Sequence, residues 1–238
     1  MTRNKQFFLW SVFAFSTCLL LLGITPFALA EDDQEDAVQL FNGENLDGWE
    51  YFLVDPELEM SDVWSVRDEL LICKGQPMGY LATEKEYTNF RIVVQWRWAP
   101  DAEPTNSGIL MRITGEPQAL PKCAEAQLKH GSVGDIYGFH GFQVGGDEDR
   151  AISAENPFVG KLSGMTKIKD NENEPGEWNT YDITVEDGDI TILLNGEKVN
   201  EATDCEVIVG KIALQSEGGE IHFRKVQLFP LDEEDAEN

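Results

Sequence analysis

Thr88-Asn89-Phe90-Arg91-Ile92-Val93-Val94-Gln95-Trp96-Arg97-Trp98 alternates without a break. Phe90, Ile92, Val94, Trp96 and Trp98 share one parity, and Arg91, Val93, Gln95 and Arg97 share the other. Successive side chains of a strand point to opposite faces, so the pattern predicts a long strand with an apolar core face and a largely polar outer face.

Working outward, shorter runs of the same kind recur between turn signals. Residues 63–66 and 70–73 flank Arg67-Asp68-Glu69 as a hairpin. Tyr181, Ile183 and Val185 alternate up to an Asp187-Gly188 turn, Ile190, Ile192 and Leu194 follow, and Asn195-Gly196 marks the next turn. Near the end, Ile221 and Phe223 keep one parity while Val226 and Leu228 keep the other, which predicts a bulge near Arg224 and Lys225. Residues 137–177 lose the pattern in Gly-rich and charged sequence and read as an irregular, functional or mobile insertion. Helical periodicity is scarce. Many short strands with turns between them specify an all-β antiparallel β-sandwich.

The ends carry different information. Arg3 and Lys5 precede an apolar run over residues 7–24, then Pro26, Ala28-Leu29-Ala30 and the acidic Glu31-Asp32-Asp33. This order predicts an export signal over residues 1–30, cleaved after Ala30, and a periplasmic or extracellular product with no stable membrane insertion. An uncleaved anchor is the alternative, because about 18 apolar residues can span a bilayer. An acidic leader (31–37) and tail (232–238) would bracket a single domain over residues 38–231.

The 238 residues carry a formal charge of −26, and loss of Arg3 and Lys5 with the signal leaves −28. Nucleic acid and anionic lipid are therefore poor partners. With Cys18 inside the signal, Cys73, Cys123 and Cys205 remain, an odd number without metal-ligand spacing. One disulfide with a free thiol is an option; three buried thiols are the other.

Residues 106–137 hold most of the visible chemistry. On strand parity, Cys123, Glu125, Gln127 and Lys129 share one face, with Ala124, Ala126 and Leu128 on the other. Upstream, Ile109, Met111 and Ile113 point one way and Leu110 and Arg112 the other, so an arginine can share the sheet with Glu125, facing it only if the register allows.

An ordered set of short motifs spans nearly the whole chain after the signal. It runs from Leu40-Phe41-Asn42-Gly43 and Leu46-Asp47-Gly48-Trp49 through Asn106-Ser107-Gly108-Ile109, Arg112 and Glu125-Ala126-Gln127. Gly134, Tyr137, Gly176-Glu177-Trp178-Asn179, Leu194-Asn195-Gly196 and Leu214-Gln215 continue it. In this order the chain resembles the 3-keto-disaccharide hydrolase domain family. The resemblance implies a concanavalin A-like lectin/glucanase jelly roll and activity on sugars oxidised at C3. The chain departs from the family pattern at His130, where an aspartate is common, at Glu217, near which a histidine is favoured, and at Lys225, where asparagine is favoured.

With that substrate class, Glu125 is the candidate base. A 3-keto group acidifies the hydrogen at C2; its removal lets the C1 substituent leave, and water addition completes net hydrolysis. Arg112 or Lys129 would stabilise the enolate. Direct hydrolysis by two carboxylates is the other route, although no second carboxylate stands at defined spacing. Asn106, Ser107, Gln127 and His130 are candidates for holding the sugar, and Tyr137, His140 and Trp178 for an aromatic wall; core packing is the competing reading for Trp178. No cofactor is expected, with Ca²⁺ held by carboxylates and backbone carbonyls left open. The alternatives to an exported glycoside hydrolase are a non-catalytic, lectin-like carbohydrate-binding module and a structural or adhesion domain.

Overall fold

Phe90–Trp98 forms a nine-residue strand at the heart of its sheet, and its five apolar alternates are at most 1% exposed. A computed structural model describes residues 37–231. In chain order the strands are β1 (Val38–Gln39), β2 (Trp49–Leu53), β3 (Trp64–Arg67), β4 (Leu70–Cys73), β5 (Gly79–Thr83), β6 (Phe90–Trp98), β7 (Gly108–Thr114) and β8 (Lys122–Gln127). One helical turn, α1 (Met60–Val63), precedes β3. The second half supplies β9 (Ile136–Gly138), β10 (Ala151–Asn156), β11 (Gly160–Met165), β12 (Asn179–Glu186), β13 (Asp189–Leu194), β14 (Glu197–Ala202), β15 (Lys211–Ser216) and β16 (Ile221–Pro230).

Two eight-stranded antiparallel sheets pack face to face. The first runs β14-β13-β12-β6-β16-β4-β3, with β1 added beside β16; the second runs β10-β11-β9-β8-β7-β15-β5-β2. Between them lies the main core, in which the β6 alternates meet Tyr181, Ile183 and Val185 of β12 and Ala124, Ala126 and Leu128 from the β8 segment. Trp96 meets Trp98 and Tyr181 edge-on, each with ring centroids 6.2 Å apart. Each large apolar side chain buried in this way contributes about 1.5–3 kcal/mol. The outer face of β6 is polar: Arg91 pairs with Asp182 at 2.8 Å, and Gln95 accepts from Arg224 Nε.

The 63–73 hairpin forms as β3 and β4, and a register shift between Phe223 and Lys225 realises the bulge in β16. Cys73, Cys123 and Cys205 are free and buried.

Two expectations need correction. Residues 137–177 are not an irregular insertion. They contain β9 and the β10–β11 hairpin, which extends the second sheet at its edge. Both faces of β10 are largely exposed, so no burial pattern marks it as a strand. The grouping of Ile113 with Ile109 and Met111 also fails. Arg112 takes φ +55°, the pairing of β7 with β8 slips between Met111 and Thr114, and Ile113 turns to the outer face with Leu110. One extra residue in a strand reverses the parity of every residue after it.

The predicted signal (1–30) and acidic tail (232–238), and all of the leader before Ala37, lie outside the described residues. Among the described residues no helix is long and apolar enough to cross a membrane.

Candidate active site

Glu125 stands on the outer face of the second sheet, in the middle of β8 between Leu110 of β7 and Tyr137 of β9. It is 1% exposed, yet it lines a cavity of about 530 Å³. That size suits a small-molecule ligand. The carboxylate fits because the residue diagonally across on β7 is Gly108. A Cβ there would lie 2.3 Å from Glu125 Oε1.

Polarity within the cavity is sorted along the strand direction. Toward the C-terminal end of β8 stand Gln127, Lys129, Ser132, Asn106 and Glu217. Toward its start stand mainly apolar groups, Leu120, Phe139, Phe158, Val159 and Leu162, with Gln118 and Asn156 beside them. Glu125 sits where the two ends meet.

Burial pushes the Glu125 carboxyl well above the usual carboxylate range, and the nearby Glu217 charge pushes it further. Gln127 Nε2 donates to Glu125 Oε2 at 3.4 Å, and Gln127 Oε1 accepts from the Lys129 backbone at 2.8 Å. Two atoms of the cavity lining, Oε1 of Glu125 and Oδ1 of Asn106, are buried and make no hydrogen bond within the chain. Buried polar groups usually find partners, and these two border open space, so a ligand's polar atoms can meet them there.

Glu217 follows β15 and brings a second carboxyl to the cavity. Half-burial raises it as well, but the Asn106 amide and the Lys129 ammonium oppose that rise. Of the two, Glu125 holds its proton more tightly. Tyr137 borders Glu125, and burial together with Asp135 pushes its phenol up to about 12, so it remains a donor; its hydroxyl donates to Asp135 Oδ2 at 3.2 Å.

Of the residues singled out from sequence, the fold gathers Glu125, Lys129, Asn106, Gln127 and Tyr137 into one cavity. Five others stand elsewhere. Arg112 is fully buried and turned to the end of the sandwich by its bulge. It donates to the Thr88 carbonyl at 2.9 Å, the Glu206 carbonyl at 2.9 Å and Asn89 Oδ1 at 3.1 Å, so its guanidinium faces these groups and not Glu125. Ser107 is buried and donates to the Gln215 carbonyl at 2.8 Å, tying β7 to β15. His130 is exposed and meets Glu172 at 3.1 Å. His140 lies behind the apolar end, where its Nε2 donates to the Leu120 carbonyl at 2.8 Å. Trp178 belongs to the outer face of the other sheet, held between the guanidinium groups of Arg97 and Arg224 at 4.6 and 4.4 Å.

Sequence reasoning missed Glu217 and the apolar wall. The signal for Glu217 was its departure from the resembled family's histidine; the wall had none, since its strands were unrecognised. Among the described residues no group of three or more His, Cys, Asp or Glu side chains is arranged to hold a metal ion.

Comparison with known proteins agrees with this architecture. The family profile described as the 3-keto-alpha-glucoside-1,2-lyase-like domain matches residues 36–228. No curated protein matches the chain. Among solved structures, a candidate glycosyl hydrolase from Parabacteroides distasonis superposes with a TM-score of 0.60 at 21% identity, covering 86% of this chain and 99% of that one. The carbohydrate-binding module CBM66 from Bacillus subtilis gives 0.53 at 12% identity, covering 76% and 94%. LamAcat from Zobellia galactanivorans gives 0.50 at 13%, covering 76% and 90%. At these identities the structural likeness establishes the shared jelly-roll fold.

Proposed function

The chain belongs to the 3-keto-alpha-glucoside-1,2-lyase-like domain family, a carbohydrate-active one, and from that premise we propose that it cleaves 3-keto-glycosides by elimination followed by hydration. The observation that carries this reading is the pair of unequal carboxyls in one cavity, Glu125 buried and proton-holding, Glu217 half-buried beside Lys129. Two carboxyls pushed to different proton affinities are suited to acid and base roles in one reaction.

The roles then differ from those the sequence suggested. Glu217, the first to ionise, takes the hydrogen at C2 that the 3-keto group acidifies. The C2–H electrons first form an enolate with the 3-keto oxygen; as that enolate collapses to the C1–C2 double bond, the C1–O bond breaks and Glu125 gives its proton to the departing oxygen. Lys129 supplies positive charge to the enolate oxygen. In the second half the Glu125 carboxylate takes a proton from water as its oxygen adds to C1, and Glu217 returns a proton to C2. Both carboxyls regain their starting states, and the net change is hydrolysis.

The test is turnover of a 3-keto-glucoside by the purified chain in D₂O. Elimination and hydration place solvent deuterium at C2 of the released sugar above the uncatalysed background, whereas direct hydrolysis leaves C2 unlabelled. Binding of glycans without turnover of the oxidised sugar would assign the chain to the lectin-like class instead.

The proposal includes export, motivated by Arg3, Lys5, the apolar run over residues 7–24 and Ala28-Leu29-Ala30. Amino-terminal sequencing of processed protein should begin at Glu31. Intact Met1 in the membrane fraction would mean an anchor.

A further inference from the structure

The cavity is divided. On one side of Glu125 lie groups that suit a sugar ring, namely Asn106, Gln127, Lys129 and Glu217. On the other side Phe139 and Val159 are buried together in an apolar cluster of their own on the outer face of the second sheet, with Leu120 and Leu162 packed against it. This cluster is separate from the inter-sheet core and opens onto the cavity. Phe158, at the tip of the β10–β11 hairpin, borders the same end and is 80% exposed.

Of the polar groups nearby, Gln118 and the Asn156 amide nitrogen stay available at the edge of this end, and the others are engaged. Asn156 Oδ1 accepts from the Phe158 and Val159 backbone at 2.8 and 3.3 Å, and His140 Nε2 is held by the Leu120 carbonyl. A second sugar at this end would find only Gln118 and the Asn156 amide to pair with and would press most of its hydroxyl groups against Phe139, Val159 and Leu162, which is unfavourable. An aromatic or aliphatic ring would cover that surface and the Phe158 face. With Phe158 the apolar lining of the cavity reaches the surface as one patch, and contiguous exposed apolar patches mark binding surfaces.

Resting on the acid–base reading above, we propose that the apolar end is an aglycone subsite and that the chain's substrates are oxidised glycosides of apolar, ring-bearing alcohols or phenols rather than disaccharides. Glu125 stands at the junction of the two ends, beside the oxygen that joins sugar to aglycone. Phe158 and Leu162 set specificity by touching the departing group.

Benzyl 3-keto-α-glucoside and 3-keto-trehalose test this directly. Both are α-linked, and benzyl alcohol is no better a leaving group than a sugar hydroxyl, so a preference for the benzyl compound reports binding. The parent chain should favour the benzyl substrate by about tenfold or more in kcat/KM, and Phe158→Ser combined with Leu162→Ser should cut that ratio by about fivefold or more, mainly through KM. Equal or greater efficiency on 3-keto-trehalose would overturn the subsite. If neither compound turns over, the acid–base reading fails, and calorimetry still decides the subsite. Tighter binding of unoxidised benzyl α-glucoside than of trehalose, lost in the double variant, supports it; no difference between the two ligands overturns it.

Discussion

Gly108 and Glu125 share one space: the Cβ that Gly108 lacks would stand 2.3 Å from Glu125 Oε1 and 2.9 Å from two further atoms of the same side chain. The glycine has no left-handed backbone to accommodate. Its absent side chain is what lets a carboxyl lie flat in the sheet face. Gly108→Ala should therefore keep its strand, lower stability by about 1–3 kcal/mol from overpacking, and remove most turnover of a 3-keto-glycoside by displacing Glu125. Thermal unfolding and steady-state kinetics on the same preparation check both halves. An alanine variant with parent activity would mean the carboxyl's position is not needed.

Glu125→Gln separates chemistry from folding through pH. The folded carboxyl keeps its proton well above the pH at which the unfolded chain ionises, because of burial first and Glu217 second. Below the unfolded carboxyl range both states are protonated and the group contributes nothing. Above it only the unfolded chain ionises, so the native state loses up to about 1.4 kcal/mol per pH unit until the folded group ionises too. Glutamine carries no ionisable proton and escapes this loss. The variant should melt higher than the parent at pH 8, with the gap closing toward pH 4, while turnover falls by about 10²- to 10⁴-fold. Paired melting curves across this range, with parallel rate measurements, provide the readout.

Removing the second carboxylate acts on the first. Glu217→Gln deletes the charge that adds to the rise at Glu125, so Glu125 should ionise at lower pH, though still above the ordinary range because burial is the larger cause. The alkaline loss of stability should end at lower pH than in the parent. Unfolding measured against pH reads this shift without relying on activity, which the same substitution should reduce.

Arg112→Met probes the framework. Three hydrogen bonds from a fully buried guanidinium hold two carbonyls and Asn89 at the end of the sandwich. Their loss should cost on the order of 3 kcal/mol or more, seen as a lower Tm. The folded fraction should retain a KM close to the parent's, because the guanidinium faces away from the cavity. Trp178→Ala offers a milder contrast on the opposite sheet, with a loss of about 1 kcal/mol from two stacked guanidinium contacts and unaltered turnover.

What could be read from sequence depends on how local the cause is. The β6 alternation and the β12–β13 turn involve neighbours in sequence, and both formed as read. Glu125, Gln127 and Lys129 shared a face for the same reason. Arg112 escaped because a single left-handed residue reversed the parity behind it, and alternation alone cannot locate such a slip. Glu217 escaped because it reaches Glu125 through sheet order: β15 lies beside β7, which lies beside β8, and no sequence spacing encodes those adjacencies. The β10–β11 hairpin escaped because Ala151–Asn156 buries little on either side, leaving no two-residue rhythm to detect.

That hairpin sits at the rim of its sheet, with β9 as its one partner strand beyond itself. Its tip can change residue by residue without repacking the tryptophans and aliphatic side chains sealed between the sheets. Substrate range and foldability are thus governed by different parts of the chain, and selection can tune the first while leaving the second untouched. A library confined to Pro157, Phe158, Lys161 and Leu162, leaving buried Val159 and left-handed Gly160 in place, would explore new leaving groups on a scaffold whose melting behaviour stays nearly constant.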